Sequence, residues 1–269
     1  EEIEKKIIGK NGEIRKECTV TKINIKNKKI VSVTYKHNGK AIEVKGDKFI
    51  SSMPLKDLIE SFSIKVDANI KRIATNLPYR DFMTVGLLVK KLKLKNTTNI
   101  RTLCNIIPDC WLYVQDKEVN MGRIQVFNNW SPYMVASPLD GVWLGLEYFC
   151  NENDDKWNMS DKDFINKAID ELVSMNIIDK DDVLDSHLER VKKAYPAYFD
   201  TYSEIDKLIN YLNKFSNLYC IGRNGQHRYN NMDHSMMSAM IAAKKIINND
   251  KDKTEIWNVN VEKVYHEEK

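Results

Sequence analysis

The residues best suited to chemistry lie together near the C-terminal end of the chain. Gly222 and Gly225 allow the backbone to turn sharply and to approach a ligand closely. Arg223, Arg228 and Tyr229 carry donors suited to phosphate or to another anion. This combination predicts an anion or cofactor site. The alternative interpretation is a polar loop that joins two well-packed elements.

A buried strand over 218–221 and a helix over 232–247 would position this turn. Asn230 or Asn231 can cap the helix. The N-terminus of the helix would offer free N–H groups and the positive end of its dipole to an electron-rich group. Small residues would let the helix lie close against a sheet or a cofactor: Ser235, Ser238, Ala239, Ala242 and Ala243.

A second candidate ligand-binding position is the strand over 48–53, which runs into Pro54 and an amphipathic helix over 55–62. Folds of the α/β class bind ligands where a strand ends in small residues just before a helix. An ordinary strand–helix corner is the alternative interpretation.

The remaining periodicities predict a mixed α/β chain. A helix end over 1–10 precedes an antiparallel meander within 13–53, in which Asn38-Gly39 is a hairpin turn. Ser160 is a candidate N-cap, and the run 249–253 is expected to be a solvated turn. Further helices are predicted over 67–76, 161–175 and 202–215, and further strands over 82–90, 111–115, 123–127, 142–149 and 184–192.

Composition excludes several classes of protein. The chain has 269 residues, of which 42% are hydrophobic and 30% charged, which is typical of a soluble globular protein. The net charge of +4 is spread along the chain, and this argues against nucleic acid as a partner. No apolar run approaches the roughly 18 residues that a membrane span needs.

Cysteine and histidine spacing argues against disulfides and metals. The five cysteines include no C-x-x-C pair, and the five histidines include no H-E-x-x-H pair. We therefore expect no metal and a reducing, cytoplasmic location. The chain begins at Glu1 without an initiator Met or a signal segment. We interpret it as part of a longer polypeptide.

The segment from Gly222-Arg223 to Asp233 resembles the C-terminal flavin motif of the amine oxidase and protoporphyrinogen oxidase superfamily. Its spacing is most similar to that of UDP-galactopyranose mutases and related flavoproteins of surface-polysaccharide biosynthesis, which read G-R-(x)4-Y-R-Y-x-D-M. Asn231 departs from that motif, which has Asp there. Further matches lie along the chain, at FISSMP (49–54), YRDFMTVG (79–86), LEYF (146–149) and KAYPAY (193–198).

The resemblance implies an α/β fold with part of an FAD-binding domain of the glutathione-reductase-like type, together with a sheet-and-helix substrate domain. The implied domains are 1–63 and 201–269 for FAD and 64–200 for substrate. The G-x-G-x-x-G motif of the N-terminal βαβ unit does not occur in the sequence. We therefore expect the missing N-terminal half of the same polypeptide as a partner, and weak or no FAD binding without it.

The resemblance also carries over individual residues. Its cofactor contacts correspond to Val20, Ser51, Ser52, Met53, Gly222, Arg223, Asn231, Met232, Asp233 and Ser235. Its substrate contacts correspond to Arg223 and Tyr229, with Arg80 and Tyr195 as further candidates and Trp130, Tyr148 and Tyr198 as either pocket residues or core residues. No catalytic acid or base is assigned, because the cofactor would carry the chemistry. Glu147, in an apolar strand, is expected to be paired or to face a polar cavity.

Three functions stay open on this basis. The first is an FAD-dependent oxidoreductase acting on a small molecule, such as a nucleotide sugar, in cell-surface polysaccharide metabolism. The second is a flavin-dependent isomerase of the UDP-galactopyranose mutase type, with no net redox change. The third is a truncated domain without activity.

Overall fold

The computed structural model describes residues 1–260, and the last nine residues of the expected 201–269 segment lie outside the described residues. The chain forms two compact units. Unit 1 combines Glu1–Pro78 with the segment from Pro196 onward, and unit 2 comprises Tyr79–Tyr195. The expected assignment of 1–63, 64–200 and 201–269 to cofactor and substrate stays a prediction.

The elements follow one another as the mixed periodicity indicates. The helices are α1 (Glu2–Gly9), α2 (Leu55–Glu60), α3 (Ala68–Thr75), α4 (Phe127–Trp130), α5 (Asp155–Asn158), α6 (Asp161–Ser174), α7 (Ile205–Asn213), α8 (Gly222–Gln226), α9 (Met232–Ile247) and α10 (Thr254–Trp257). The strands are β1 (Thr19–Lys26), β2 (Lys29–His37), β3 (Lys40–Lys45), β4 (Phe49–Ser51), β5 (Tyr79–Val89), β6 (Trp111–Tyr113), β7 (Arg123–Val126), β8 (Val142–Cys150), β9 (Val183–Pro196) and β10 (Leu218–Cys220).

Unit 1 contains two small sheets. Strands β1, β2 and β3 form an antiparallel meander whose second turn is Asn38-Gly39, with φ values of 48° and 76° that suit this dipeptide. Strands β4 and β10 form a parallel pair in which Leu218 lies opposite Phe49 and Cys220 opposite Ser51. The predicted strand over 48–53 therefore pairs with one from the far end of the chain.

A helical core supports the parallel pair. Leu55 and Leu58 of α2, Ile73 of α3 and Leu208 of α7 are fully buried in one cluster that also contains Leu218. Leu55 and Leu58 of α2, and Ile205, Leu208 and Leu212 of α7, recur at helical spacing, so each of these two helices buries one apolar stripe. The strand β4 is thereby held with its C-terminal end beside α8.

Unit 2 is a five-stranded sheet in the order β6-β7-β8-β5-β9, packed on one face against α6. Ser160 caps α6, because its Oγ accepts a hydrogen bond from the N–H of Asp163 at 3.2 Å. Phe164, Ala168 and Leu172 bury one stripe of α6 against the sheet. The predicted cap and the predicted strands of this region are confirmed.

The expectation of a solvated turn over 249–253 is wrong for its last residue, Lys253. Lys253 is 5% exposed, and its Nζ donates to the carbonyl oxygen of Phe215 at 2.6 Å and lies 5.2 Å from the centroid of the Tyr219 ring. A run of polar residues indicated solvent here, and only the packing of α10 shows that this lysine turns inward. Burial lowers the pKa of Lys253 to about 8.

We expect the contribution of Lys253 to the free energy of unfolding to rise by up to about 3 kcal/mol between about pH 8 and about pH 10.5. The unfolded chain keeps its proton on Lys253 in this window, whereas the folded chain has released it. Urea unfolding of the wild type and of Lys253→Met across this window isolates the contribution. Equal pH slopes for the two proteins would contradict the burial of a charged amine here.

Candidate functional site

The Gly222 turn lies at the C-terminal end of the parallel strand pair. The N–H of Ile221 donates to the carbonyl oxygen of Ser51 at 3.0 Å, so the ends of β4 and β10 are held together. The chain then enters α8, a single helical turn that the sequence indicated as a loop. The two candidate positions of the sequence, the Gly222 turn and the Ser51 corner, are thus one site.

Two glycines make this close packing possible, for different reasons. Gly222 has a φ of +71°, a left-handed conformation that glycine adopts without strain. At Gly225 a Cβ atom would lie 2.6 Å from the carbonyl oxygen of Ser51 and 3.1 Å from the Cα of Ser52. The α8 backbone therefore rests directly on the end of β4.

Three buried polar atoms around α8 have no hydrogen-bond partner among the described residues: Ser51 Oγ, Asn224 Oδ1 and Asn230 Oδ1. A buried polar atom without a partner costs about 1–3 kcal/mol. Asn230 also donates from Nδ2 to Gln226 Oε1 at 3.0 Å, so its side chain is anchored while its other polar atom stays unmatched. Unmatched buried atoms of this kind, one of them on the last residue of β4, are atoms that a polar ligand with N–H and hydroxyl groups would satisfy.

The helix α9 begins directly beyond this turn. Asn231 is its N-cap, and the N–H of Asn231 donates to His234 Nδ1 at 3.3 Å. Gly222 N–H donates to Ser238 Oγ at 3.0 Å, which ties the turn to the buried side of α9. Asn231 serves here as a neutral cap, so the Asp of the mutase motif is not needed for capping.

Arg223 and Tyr229, the predicted substrate pair, are brought together in unit 1. The guanidinium carbon of Arg223 lies 5.0 Å from the centroid of the Tyr229 ring, and Arg223 Nε donates to the carbonyl oxygen of Asn230 at 2.9 Å. Tyr198 accepts a hydrogen bond from Tyr229 N–H at 2.5 Å and stacks on Tyr202 at a centroid separation of 4.4 Å. Tyr198 therefore helps to position the loop that carries Tyr229.

His227 lies beneath this loop and is completely buried. Its Nε2 is 3.2 Å from the carbonyl oxygen of Ala197, and its φ of 49° ends α8 in a left-handed conformation. Burial lowers the pKa of His227 to about 4. The histidine is therefore neutral near pH 7 and acts as a structural donor that holds the turn.

We expect the contribution of His227 to the free energy of unfolding to fall by about 3 kcal/mol as the pH drops from about 7 to about 4. The unfolded chain protonates His227 near its ordinary pKa, whereas the folded chain resists protonation down to about pH 4. The unfolded state thus binds more protons in this window, and stability is lost as the pH falls.

Urea unfolding at several pH values measures this loss. His227→Asn is the matched variant, because Asn tolerates the left-handed conformation and does not titrate. The pH slope of the variant should be shallower than that of the wild type. Parallel slopes would show that His227 does not couple folding to pH.

The other predicted cofactor residues of unit 1 have different surroundings. Met53 packs partly against the unit 1 core, whereas Ser52 is exposed beside α8. Val20 lies on β1 with 39% of its surface exposed. Met232 and Asp233 are exposed at the start of α9, and Ser235 is half-buried there.

Unit 2 holds a buried charge pair, Arg123 and Glu147. The sequence indicated only its acidic member. Arg123 is 2% exposed and Glu147 3% exposed, and Arg123 Nε donates to Glu147 Oε2 at 2.6 Å. The guanidinium carbon lies over the rings of Trp111 and Phe149, at 4.9 and 4.8 Å from their centroids. Glu147 also accepts a hydrogen bond from Gln125. The expectation that Glu147 is paired is confirmed.

The predicted residues of unit 2 divide into two groups. Tyr195 lies beside the Arg123 group, since Arg123 Nη2 donates to its Oη at 3.1 Å. Arg80 is half-buried on β5, and Trp130 is 47% exposed. Tyr148 does not line a pocket: it is fully buried, and its hydroxyl donates to Glu171 at 2.9 Å, so the core interpretation is correct.

Sequence reasoning missed Arg123, Gln125, Asn224 and Asn230 as site candidates. Alternation along β7 was the available signal for two of them, because Arg123 and Gln125 point to one face while Ile124 and Val126 enter the core. Nothing in the local sequence indicated that the side chains of Asn224 and Asn230 would be buried with unmatched oxygens.

Within residues 1–260, no group of His, Cys, Asp and Glu side chains is arranged to hold a metal ion. In the same range, no helix has both the length and the apolar character that a membrane span requires. All five cysteines are free thiols.

The fold is a mixed α/β fold that solved structures share, which confirms the predicted fold class. The chain is similar to the crystal structure of a reduced UDP-galactopyranose mutase, with a TM-score of 0.72, 21% identity, and coverage of 96% of this chain and 52% of that one. No known family profile matches the sequence. No curated protein matches it either.

Two further structures share the fold at lower similarity. One is an oxidoreductase from Methanosarcina mazei, with a TM-score of 0.53, 13% identity, and coverage of 83% of this chain and 47% of that one. The other is a protoporphyrinogen oxidase-like protein from Exiguobacterium, with a TM-score of 0.53, 14% identity, and coverage of 79% and 43%. The chain therefore spans about half the length of the solved structures that it matches.

Proposed function

We propose that this chain is part of an FAD-dependent oxidoreductase of the amine oxidase and protoporphyrinogen oxidase type. The observation that carries the proposal is the Gly222 turn, where α8 packs on the end of β4 and three buried polar atoms in or beside α8 have no hydrogen-bond partner among residues 1–260. The fold shared with a UDP-galactopyranose mutase and with an oxidoreductase supports it. When bound, FAD would supply a carrier for a two-electron transfer.

The residues around the turn fit such a cofactor. Ser51 Oγ, Asn224 Oδ1 and Asn230 Oδ1 offer polar atoms for the hydroxyl and N–H groups of a flavin and its ribityl chain. The small residues Gly222 and Ser235 leave the start of α9 open to close approach. The helix N-terminus would stabilise negative charge nearby. Ser52, Met53, Arg223, Met232, Asp233 and Asn231 stay proposed contacts, together with Val20 on β1.

For the substrate, we propose a small molecule with an anionic group, such as a nucleotide sugar. Arg223 beside Tyr229 supports this, because a guanidinium held against an aromatic ring is well suited to a phosphate. In unit 2, Tyr195 and Arg80 stay proposed substrate contacts. The role in surface-polysaccharide metabolism and a cytoplasmic location belong to the same proposal and rest on the sequence resemblance.

We further propose that a βαβ segment, from the missing N-terminal half of the same polypeptide, completes unit 1. Phe49 N–H donates to the carbonyl oxygen of Asn217 and Ser51 C=O accepts from Ile221 N–H, so the backbone groups of the intervening Ile50 point to the edge of β4 opposite β10. A parallel pair of three-residue strands needs cover on both faces and further strands to be stable. The exposed methionines of α9 provide an apolar face for such a segment: Met232, Met236, Met237 and Met240.

The visible absorption spectrum tests the cofactor proposal. The chain is purified alone and together with the N-terminal half of its polypeptide, each with added FAD, and unbound FAD is removed. We expect the flavin band near about 450 nm only when both halves are present. Protein-bound flavin in neither sample would overturn the flavoprotein proposal and favour a domain without cofactor activity.

A flavin-dependent isomerase is the second candidate, because the structure of a mutase shares the fold over 96% of this chain. The assembled, flavin-loaded protein is incubated with UDP-galactopyranose, and products are separated by chromatography. A ring-contracted product without net consumption of reductant or oxygen would favour the isomerase. Substrate turnover coupled to consumption of an electron acceptor would favour the oxidoreductase. If flavin is bound and neither reaction occurs, the enzyme acts on a different substrate.

A further inference from the structure

Unit 1 has a pocket that shares no residue with the Gly222 turn. Its volume is about 330 Å³, and it lies between the turn that joins β1 to β2 and the end of α7. Its walls are formed by four largely apolar side chains: Ile25, Ile64, Tyr211 and Phe215. Asn27, Lys28 and Lys214 lie at its rim. None of these lining residues is acidic.

The walls of this pocket, which we call the hairpin pocket, include two aromatic rings. The rings of Tyr211 and Phe215 meet edge to face, with centroids 5.6 Å apart and planes at 72°. Phe215 is buried, and its ring also packs edge to face on Phe62, so that wall is anchored in the core. A flat apolar group can pack against such rings with favourable geometry.

The rim of the hairpin pocket is positively charged. Lys214 Nζ lies 5.8 Å from the centroid of the Tyr211 ring, which keeps the ammonium group beside the aromatic wall. Neither Lys28 nor Lys214 forms an ion pair with any acidic group in the described part of the chain. Two unneutralised ammonium groups above an apolar floor complement an anion attached to an apolar body.

The backbone at Lys28 adopts a conformation that is costly for lysine. Asn27 and Lys28 have φ values of 51° and 57°, as both central residues of a type I′ turn require. The other turn of the same meander has the favoured pair, Asn38 and Gly39. A residue with a Cβ costs about 1 kcal/mol more than glycine in this conformation. Lysine therefore stands where glycine would be more stable.

We propose that the hairpin pocket binds a small phosphomonoester whose organic part is a compact aromatic group. The aromatic walls hold the ring, and Lys28 and Lys214 hold the phosphate as point charges. The site is separate from the proposed flavin site, and the two proposals can fail independently because this one needs no flavin.

Amide chemical shifts of the isotope-labelled chain, titrated with phenyl phosphate, test the proposal. We expect saturable shifts at Asn27, Lys28, Ile64 and Lys214, and binding at least about tenfold weaker for inorganic phosphate and for benzyl alcohol. Lys28→Gly should weaken phenyl phosphate binding by about fivefold or more while it relieves the strained turn. Lys214→Gln should weaken binding in the same direction.

Two control variants separate charge at the pocket from other effects. Asn38→Gly relaxes the same backbone conformation in the other turn, and Lys45→Gln removes a lysine from β3. Both should bind phenyl phosphate as the wild type does. The proposal is overturned by absence of shifts at the pocket, by equal binding of inorganic phosphate, or by unchanged affinity in Lys28→Gly.

Discussion

Replacement of Arg123 by Met should destabilise unit 2 by about 3–5 kcal/mol, because the carboxylate of Glu147 would stay buried without its charge partner. Arg123 and Glu147 are 2% and 3% exposed and share a hydrogen bond of 2.6 Å, and the guanidinium carbon of Arg123 lies 4.9 and 4.8 Å from two aromatic ring centroids. Urea unfolding followed by tryptophan fluorescence measures the loss. Four of the five tryptophans lie in unit 2, so the signal reports this unit: Trp111, Trp130, Trp143 and Trp157.

The double variant Arg123→Met with Glu147→Leu should recover much of that stability, because it removes both buried charges together. The exposed pair Lys180–Asp170, at 2.9 Å with side chains 61% and 64% exposed, is the matched control. Lys180→Met should cost less than about 1 kcal/mol. A loss at Arg123 no greater than at Lys180, or no recovery in the double variant, would contradict the buried charge pair.

Gly225→Ala should destabilise unit 1 by about 3 kcal/mol, because its Cβ would collide with backbone rather than with a movable side chain. The added atom would lie 2.6 Å from the carbonyl oxygen of Ser51, which already accepts the hydrogen bond of Ile221 N–H. Either α8 must lift from β4 or the strand pair must separate. Hydrogen exchange at the Ile221 amide, together with urea unfolding, reports both outcomes.

Gly222→Ala is the matched control for this substitution. Its Cβ would meet nothing closer than the Ser235 side chain at 4.0 Å, so only the strain at a φ of +71° remains. That strain costs about 1 kcal/mol. Gly225→Ala should therefore be the more damaging of the two and should accelerate exchange at Ile221. A larger effect at Gly222 would show that backbone conformation, rather than close packing on Ser51, governs the turn.

The place of the candidate site along the chain was predictable from the sequence, but the full set of residues that form it was not. Glycine and arginine spacing indicated a sharp turn before a helix, and the structure has such a turn with α9 behind it. The turn itself is helical, which its two glycines did not suggest. Packing on Ser51 stabilises α8, and this partner lies far away in the sequence.

The sequence by itself determined the strands and the longer helices, because their signals are local. Period-two alternation and Asn38-Gly39 specify the meander, and the Ser160 cap with one apolar stripe specifies α6. Hydrogen bonds within a turn or a helix need only neighbouring residues. For this reason the mixed α/β class follows from the order of the local patterns alone.

Only the tertiary structure decided which distant residues share an environment. It joined β4 to β10, buried Lys253 against Phe215, paired Arg123 with Glu147 and left Asn224 Oδ1 unmatched. Burial and pairing depend on what packs against a residue from elsewhere in the chain, and the charge or polarity of a side chain does not reveal that partner. The Gly222 turn of unit 1 and the buried charge pair of unit 2 both depend on those long-range contacts.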